Sequence, residues 1–447
     1  MSISSNADKG AYTPARGDAV EEDHVYRKIA LRVMPLLFLA YLLAFLDRIN
    51  VGYAQLQMKV DLGFTDAVYG LGAGIFFLAY LLFEIPSNML LERVGARLTL
   101  LRIMVLWGIT SAAMMFVKTP THFYVVRALL GLFEGGFFPG IILYLTYWFP
   151  RSRRAAVTGQ FMFAVPVAGI IGGPISGLVM TSMNGTLGLA GWQWMFVIEG
   201  LPTILLGFVC YLMLADRPSK ARWLDDEEKA IVQRVLDADA DTADSAERNV
   251  LLELRKAVSD PRVWLLAFVY FSIACGNYAF TFWLPTMIKG LGVDNLAKVG
   301  LYSALPYAFA GAGVLLISRS SDYFKERRIH VGGFLVLSAV AFALMPQLHS
   351  SLPGALALLC FVAFFEFGAS ISFWSIPPTY LSKETVAVGL ALVSCIGVIG
   401  GFVSPTVLGF IKSRTGSLTN GVYFVSAIMT AGGLAVILGL PKRATRV

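Results

Sequence analysis

The chain has 447 residues, 57% of them hydrophobic and only 15% charged, with a formal net charge of +7. A soluble domain carries roughly 25% charged residues, so this composition excludes an ordinary soluble enzyme and predicts an all-α protein that crosses a membrane many times. The basic residues are scattered over short loops, so no nucleic-acid partner is expected, and the four cysteines and four histidines show no metal or disulfide spacing.

In chain order, residues 1–28 are polar, lack a signal-peptide core, and are expected to form a cytoplasmic tail. A spanning helix needs about 20 mostly apolar residues. Six such runs follow at 29–53, 66–90, 97–117, 121–148, 155–180 and 194–215, giving a first bundle over 29–215. The longest polar insert, 216–260, alternates acidic and basic residues and predicts a partly helical cytoplasmic linker at the membrane surface. Six more runs, at 261–288, 297–318, 331–348, 353–380, 387–411 and 419–440, give a second bundle over 261–441, and 442–447 form a short tail. Pro166 and Pro174 predict kinks in the fifth helix.

If the N-terminus is cytoplasmic, 28 of the 36 Lys and Arg fall on the cytoplasmic side. Six lie outside (Lys59, Lys118, Lys289, Lys298, Lys412 and Arg414), and Arg48 and Arg127 lie within spans. The positive-inside rule then puts both termini in the cytoplasm. The halves also share a loop pattern. Asn88-Met-Leu-Leu-Glu92-Arg93-Val-Gly95-Ala-Arg97 follows the second helix, and Ser318-Arg-Ser-Ser-Asp322-Tyr-Phe-Lys325-Glu-Arg327-Arg328 follows the eighth. A carboxylate with several cations recurs six helices later, as a duplicated six-helix unit predicts.

An arginine within a span costs at least about 2.5–3.5 kcal/mol by insertion scales and needs a partner or a watery cavity. Arg48 follows Asp47 directly. Arg127 and Glu134 are seven residues apart, on one helix face and about 10 Å apart along the axis. Two cations and two carboxylates in a few helices predict an anion site tied to protons. Glu84 and Glu199 fit structural roles near helix ends. The glycine runs Gly131-Leu-Phe-Glu-Gly135 and Gly172-Gly173-Pro174 lie within spans and suit close helix packing rather than phosphate binding.

These residues resemble the anion:cation symporter family of the major facilitator superfamily. The match rests on Asp47-Arg48-Ile49-Asn50-Val51-Gly52, Tyr80-Leu-Leu-Phe-Glu84-Ile-Pro86-Ser-Asn88, Arg127-Ala-Leu-Leu-Gly-Leu-Phe-Glu134-Gly135, Trp283-Leu-Pro285, Trp374-Ser-Ile-Pro377 and the loop after the second helix. It covers about 29–441. The resemblance implies twelve helices in two six-helix bundles, multi-pass insertion in the inner membrane, and no enzyme activity. It also implies proton-coupled symport of an organic carboxylate by alternating access, with protons as the only coupling factor and no other cofactor. Glu134 and Asp47 correspond to proton carriers, Arg127 to the cationic partner of Glu134, and Arg48 to the substrate-binding arginine. Tyr80, Arg127, Gln160, Asn277, Ser370, Ser372, Trp374 and Ser394 are the further substrate-contact candidates, with Tyr278 beside Asn277. Ser370 and Ser372 are not on one helical face, so only one is expected to point squarely at the cavity. The expected partners are the small carboxylate, protons and the lipid bilayer, and the protein is expected to be a monomer.

Two positions depart from the family pattern. Gly389-Leu-Ala-Leu-Val-Ser394 has Ser where an Asn is usual, and Val398 follows, so this half offers fewer amides for hydroxyl-rich acids. That favours an aromatic or dicarboxylic acid such as phthalate. Glu366 sits mid-span one turn before Ser370 and is predicted to face the cavity as an extra titrating group. Two alternatives stay open, a proton-driven exporter of metabolites or drugs and an anion sensor that does not transport.

Overall fold

A computed structural model describes residues 16–241, 250–348, 350–382 and 385–441. Twelve helices are long and apolar enough to cross a membrane: α1 (Val20–Leu62), α2 (Asp66–Val94), α3 (Ala96–Phe116), α4 (Pro120–Thr146), α5 (Arg151–Ser182), α6 (Gly191–Met213), α7 (Pro261–Gly290), α8 (Leu296–Phe324), α9 (Ile329–Leu348), α10 (Leu352–Tyr380), α11 (Val388–Thr415) and α12 (Thr419–Gly439). Among the described residues there are no strands. Lipid offers no hydrogen-bond partner to a bare backbone, and a helix satisfies its own.

The first helix starts earlier than the hydropathy suggests. It is continuous from Arg16, so 16–28 extend α1 rather than forming a separate tail. Residues 1–15 and 442–447 lie outside the described residues. Two helices, Asp226–Asp241 and Val250–Ser259, occupy the polar linker. The first is held to the N-terminal half by Lys28 Nζ on Glu228 at 2.6 Å and Arg154 on Asp239 at 3.1 Å. Just before it, Trp223 stacks on Trp148. The second packs against α7 and α11.

Three spans are interrupted along their length. α4 breaks between Glu134 and Phe137, with Gly136 at φ 87°. That left-handed conformation suits glycine, and a Cβ there would lie 2.5 Å from Ser87 Cβ. α5 is interrupted at Phe163, and α10 at the turn before Pro377.

The halves α1–α6 and α7–α12 meet along α5 with α8, α2 with α11, and α1 with α7. The contact is tightest on the face away from the linker. A Cβ on Gly173 would lie 2.6 Å from the Gly300 carbonyl oxygen, and one on Gly70 would lie 2.4 Å from that of Pro405. Two hydrogen bonds cross the same seam, from Tyr69 Oη and Gln55 Nε2 to the Phe282 carbonyl at 2.9 and 3.1 Å. Toward the linker the halves separate around a cavity.

Candidate functional site: a central cavity around Arg48

The cavity has two adjoining lobes. One, of about 380 Å³, is lined by Arg48, Tyr80, Tyr270, Tyr278, Trp374 and Ser394 among others. The other, of about 180 Å³, adds Phe45, Asn277, Thr281, Phe367 and Ser370 and shares Arg48, Tyr41, Tyr270 and Tyr278. Helical spacing builds this wall. Phe76, Phe77, Tyr80 and Glu84 form one stripe on α2, and Tyr270, Ala274, Asn277, Tyr278 and Thr281 form another on α7.

Arg48 is the cation of the cavity wall. Its NH2 donates to Glu134 Oε1 in a buried ion pair, and its guanidinium lies over Phe76 and Tyr80, 5.4 and 5.8 Å from the ring centroids. Glu134 is 1% exposed, and its second oxygen has no hydrogen-bond partner. The arginine thus reaches the cavity while its carboxylate partner stands behind it at the break in α4. A buried pair of this kind is stable only while both members keep their charges, because removing one strands the other in a low dielectric.

Arg127 corrects the expected pairing. Rather than meeting Glu134, it donates from Nε to the Gly72 carbonyl at 3.1 Å and from NH2 to the Ala73 carbonyl at 3.4 Å. It lies 4.9 Å from the Phe76 ring, the same ring that Arg48 approaches, and is 1% exposed. It therefore tightens α4 against α2 and does not line the cavity. The direct cationic partner of Glu134 is Arg48, from another helix.

Asp47 also faces away from the cavity. Its Oδ1 accepts from Ser111 Oγ at 2.6 Å and Asn50 Nδ2 at 3.2 Å, and Oδ2 is buried without a partner. Glu199 is likewise enclosed in the N-terminal half, accepting from Ser176 Oγ at 2.7 Å. It lies well inside its helix rather than at the end, and its second carboxyl oxygen is buried without a hydrogen-bond partner.

The remaining candidates divide by helix register. Tyr80, Asn277, Ser370, Trp374 and Ser394 line the cavity, and Asn277 Nδ2 donates to Ser370 Oγ at 3.4 Å. Ser372 is buried off the cavity with its hydroxyl unpartnered, so only one of the two serines faces in. Gln160 is displaced. Thr158 and Met162 hold the cavity face of α5, and Gln160 lies between them in sequence and so turns to a lateral crevice with Arg27 and Ser318. Glu366 does not face the cavity either. It is 1% exposed inside the C-terminal half, beside Gly276 on α7 and Met429 on α12, and neither of its carboxyl oxygens is hydrogen-bonded. The position of Ser370 one turn on does not carry Glu366 to the same side, because the helix drifts across the face.

Sequence reasoning missed Tyr41, Phe77, Tyr270 and Glu84 as lining residues. The aromatic stripes on α2 and α7 were the available signal. Glu84 sits four residues beyond Tyr80 on the same face, which is the spacing that brings it to the wall.

The chain matches the Major Facilitator Superfamily over residues 37–405. It belongs to that superfamily. Its curated relatives include a putative tartrate transporter of Agrobacterium vitis, 45% identical, with 93% of this chain and 95% of the relative covered. The putative metabolite transport protein NicT of Pseudomonas putida is 41% identical, with 94% and 95% covered. A quinolone resistance transporter of Acinetobacter baumannii is 39% identical, with 92% and 94% covered. Among solved structures, a D-xylose–proton symporter superposes with a TM-score of 0.72 at 14% identity, over 93% of this chain and 99% of that one. The major facilitator fold is thereby shown, and the chain is a multi-pass membrane transporter of organic substrates rather than an enzyme.

Proposed function

We propose that the protein is a proton-coupled symporter of an organic carboxylate with an aromatic or otherwise flat apolar body. The observation that carries this reading is the Arg48–Glu134 pair, in which the cation of the cavity wall is tied to an enclosed carboxylate. Protonation of Glu134 removes its claim on Arg48, whose planar fork then suits a substrate carboxylate. With anion and proton loaded, the cavity carries little net charge and the halves can reorient. Release of the proton on the other side restores the pair and displaces the anion. Asp47, one residue from Arg48 and with no cationic partner among the described residues, is the second proton carrier in this scheme, acting from behind α1. The relatives named for tartrate and for a metabolite support organic cargo, and the tyrosine, phenylalanine and tryptophan walls favour an aromatic body over a polyol. Asn277, Ser370 and Ser394 orient the cargo through hydrogen bonds.

The positive-inside rule supports a linker side that faces the cytoplasm of an inner membrane; in this reading the cavity opens inward, and a monomer suffices because each chain holds a whole cavity. The relative named for quinolone resistance favours export as the second reading. The test uses purified full-length protein in proteoliposomes, with phthalate and L-tartrate as probes. Acid outside is expected to drive concentrative uptake of phthalate and to leave counterflow intact in Glu134→Gln. Efflux driven by inward proton flow would replace this reading with export, and absence of counterflow with any carboxylate would remove it.

A further inference from the structure

Among the described residues only six Lys and Arg lie on the face away from the linker, and three of them, Lys59, Lys289 and Lys412, gather at the seam between the halves. They come from three helix ends, α1, α7 and α11. Asp66, the first residue of α2, sits among them. Its Oδ1 is shared by Lys59 Nζ and, at 3.2 Å, by Lys412 Nζ from the opposite half. Lys289 Nζ donates to the Leu56 carbonyl at 3.4 Å, again across the seam. Lys412 Nζ also lies 5.4 Å from the centroid of the Trp283 ring, the ring that Tyr69 meets edge-on. The other nearby acid of α1, Asp61, is engaged by Trp192 Nε1 at 2.8 Å. Three ammonium groups thus converge where one carboxylate is shared by two of them.

A latch between halves needs one cation. Two more, on the face with the fewest cations, leave an excess of positive charge over the closed route to Arg48. Like-charged lysines repel, and the arrangement is favourable only while an anion holds them together. Asp66 is the anion that does so in the closed form.

We propose that Lys59, Lys289 and Lys412 form a capture site for small carboxylate anions at the outer mouth, and that Asp66 fills this site as an internal substitute when the mouth is shut. This rests on the reading of the cargo as a carboxylate. An incoming anion competes with Asp66 for the lysines, frees Lys412 from α2 and loosens the seam. After the halves part, the lysines stand on both walls and draw the anion inward toward Arg48.

The test reads opening of the seam directly. A cysteine replaces Thr406, whose Oγ1 donates to the Gly70 carbonyl at 3.3 Å across the seam. The four native cysteines are replaced by serine in the full-length chain. Labelling by a membrane-impermeant maleimide is then followed in vesicles. Asp66→Asn is expected to raise the labelling rate about threefold, the change expected on losing one partly exposed ion pair. Lys412→Gln should do the same, which guards against a folding effect of either variant. Sodium phthalate should accelerate labelling of the parent more than sodium chloride at matched ionic strength. That acceleration should persist in Arg48→Lys and vanish in Lys59→Gln/Lys289→Gln/Lys412→Gln. Parental labelling rates in both Asp66→Asn and Lys412→Gln overturn the latch. Equal effects of phthalate and chloride overturn the capture site, as does loss of the phthalate effect in Arg48→Lys, which would assign it to the central cavity. Loss of proton-driven uptake as a property of the protein would instead strike the symport reading and leave these labelling results standing.

Discussion

Among the described residues, the enclosed interior of the N-terminal half of this transporter holds several charges in company, and that of the C-terminal half holds almost none. Arg48, Glu134, Arg127, Asp47 and Glu199 all belong to α1–α6, and each has a hydrogen-bonded or ionic neighbour. The cavity wall of α7–α12 is built from Tyr270, Tyr278, Trp374, Asn277, Ser370 and Ser394, all neutral. Among the described residues its one deeply enclosed acid, Glu366, has no hydrogen-bond partner and faces away from the cavity. Under the proposed mechanism, charge movement belongs to one half and recognition of the cargo's shape to the other. Substitutions in the first half should therefore change coupling or binding outright, and those in the second should change selectivity.

The largest effect is expected from Glu134→Gln. It should abolish gradient-driven uptake while leaving counterflow in the same vesicles, because the amide imitates the protonated acid. Concentrative uptake at the parental level would break the assignment of coupling to this half. Arg48→Lys should follow, with carboxylate binding weakened about 10- to 100-fold, the worth of a charge-assisted hydrogen bond. Isothermal titration measures it, and parental affinity would dismiss the planar fork. Gly136→Ala tests the break in α4 that presents Glu134. Forcing a side chain into a left-handed position costs about 1–2 kcal/mol, and Ser87 stands in the way, so thermal unfolding should shift down. In the second half, Asn277→Ala should lower affinity only about two- to tenfold, the range for a neutral hydrogen bond, and should change the ranking of carboxylates in a competition assay without changing the pH profile. The smallest effect is expected from Glu366→Gln. Its pH profile and apparent KM should match the parent, and a displaced profile would show that the C-terminal half also takes part in coupling.

Much of this was legible in the chain. Apolar run length gave the twelve spans, since a bilayer leaves little freedom in how such runs fold. Arg48, Glu134 and Tyr80 stood out because polar groups in lipid demand a reason. What spacing along one helix cannot say is which neighbouring helix lies opposite. Arg127 and Glu134 share a face of α4, yet Arg127 is taken by carbonyls of α2 and Glu134 by an arginine 86 residues away. Gln160 and Glu366 failed for a related reason. Each is polar and mid-span, but register turned the first to a lateral crevice and the second into the interior of its own half. Glu84 shows the reverse error. Its nearness to Pro86 suggested a helix-end role, while its four-residue step from Tyr80 brings it to the cavity wall.

The two linker helices keep different company, Asp226–Asp241 with the N-terminal half and Val250–Ser259 with α7 and α11. Each half therefore carries one linker helix of its own. In practical terms, an antibody fragment gripping only Asp226–Asp241 would ride as cargo on one half and leave turnover untouched. A fragment bridging both helices would act as a splint and arrest the cycle. The linker thus offers a handle for freezing this carrier that never touches the central cavity.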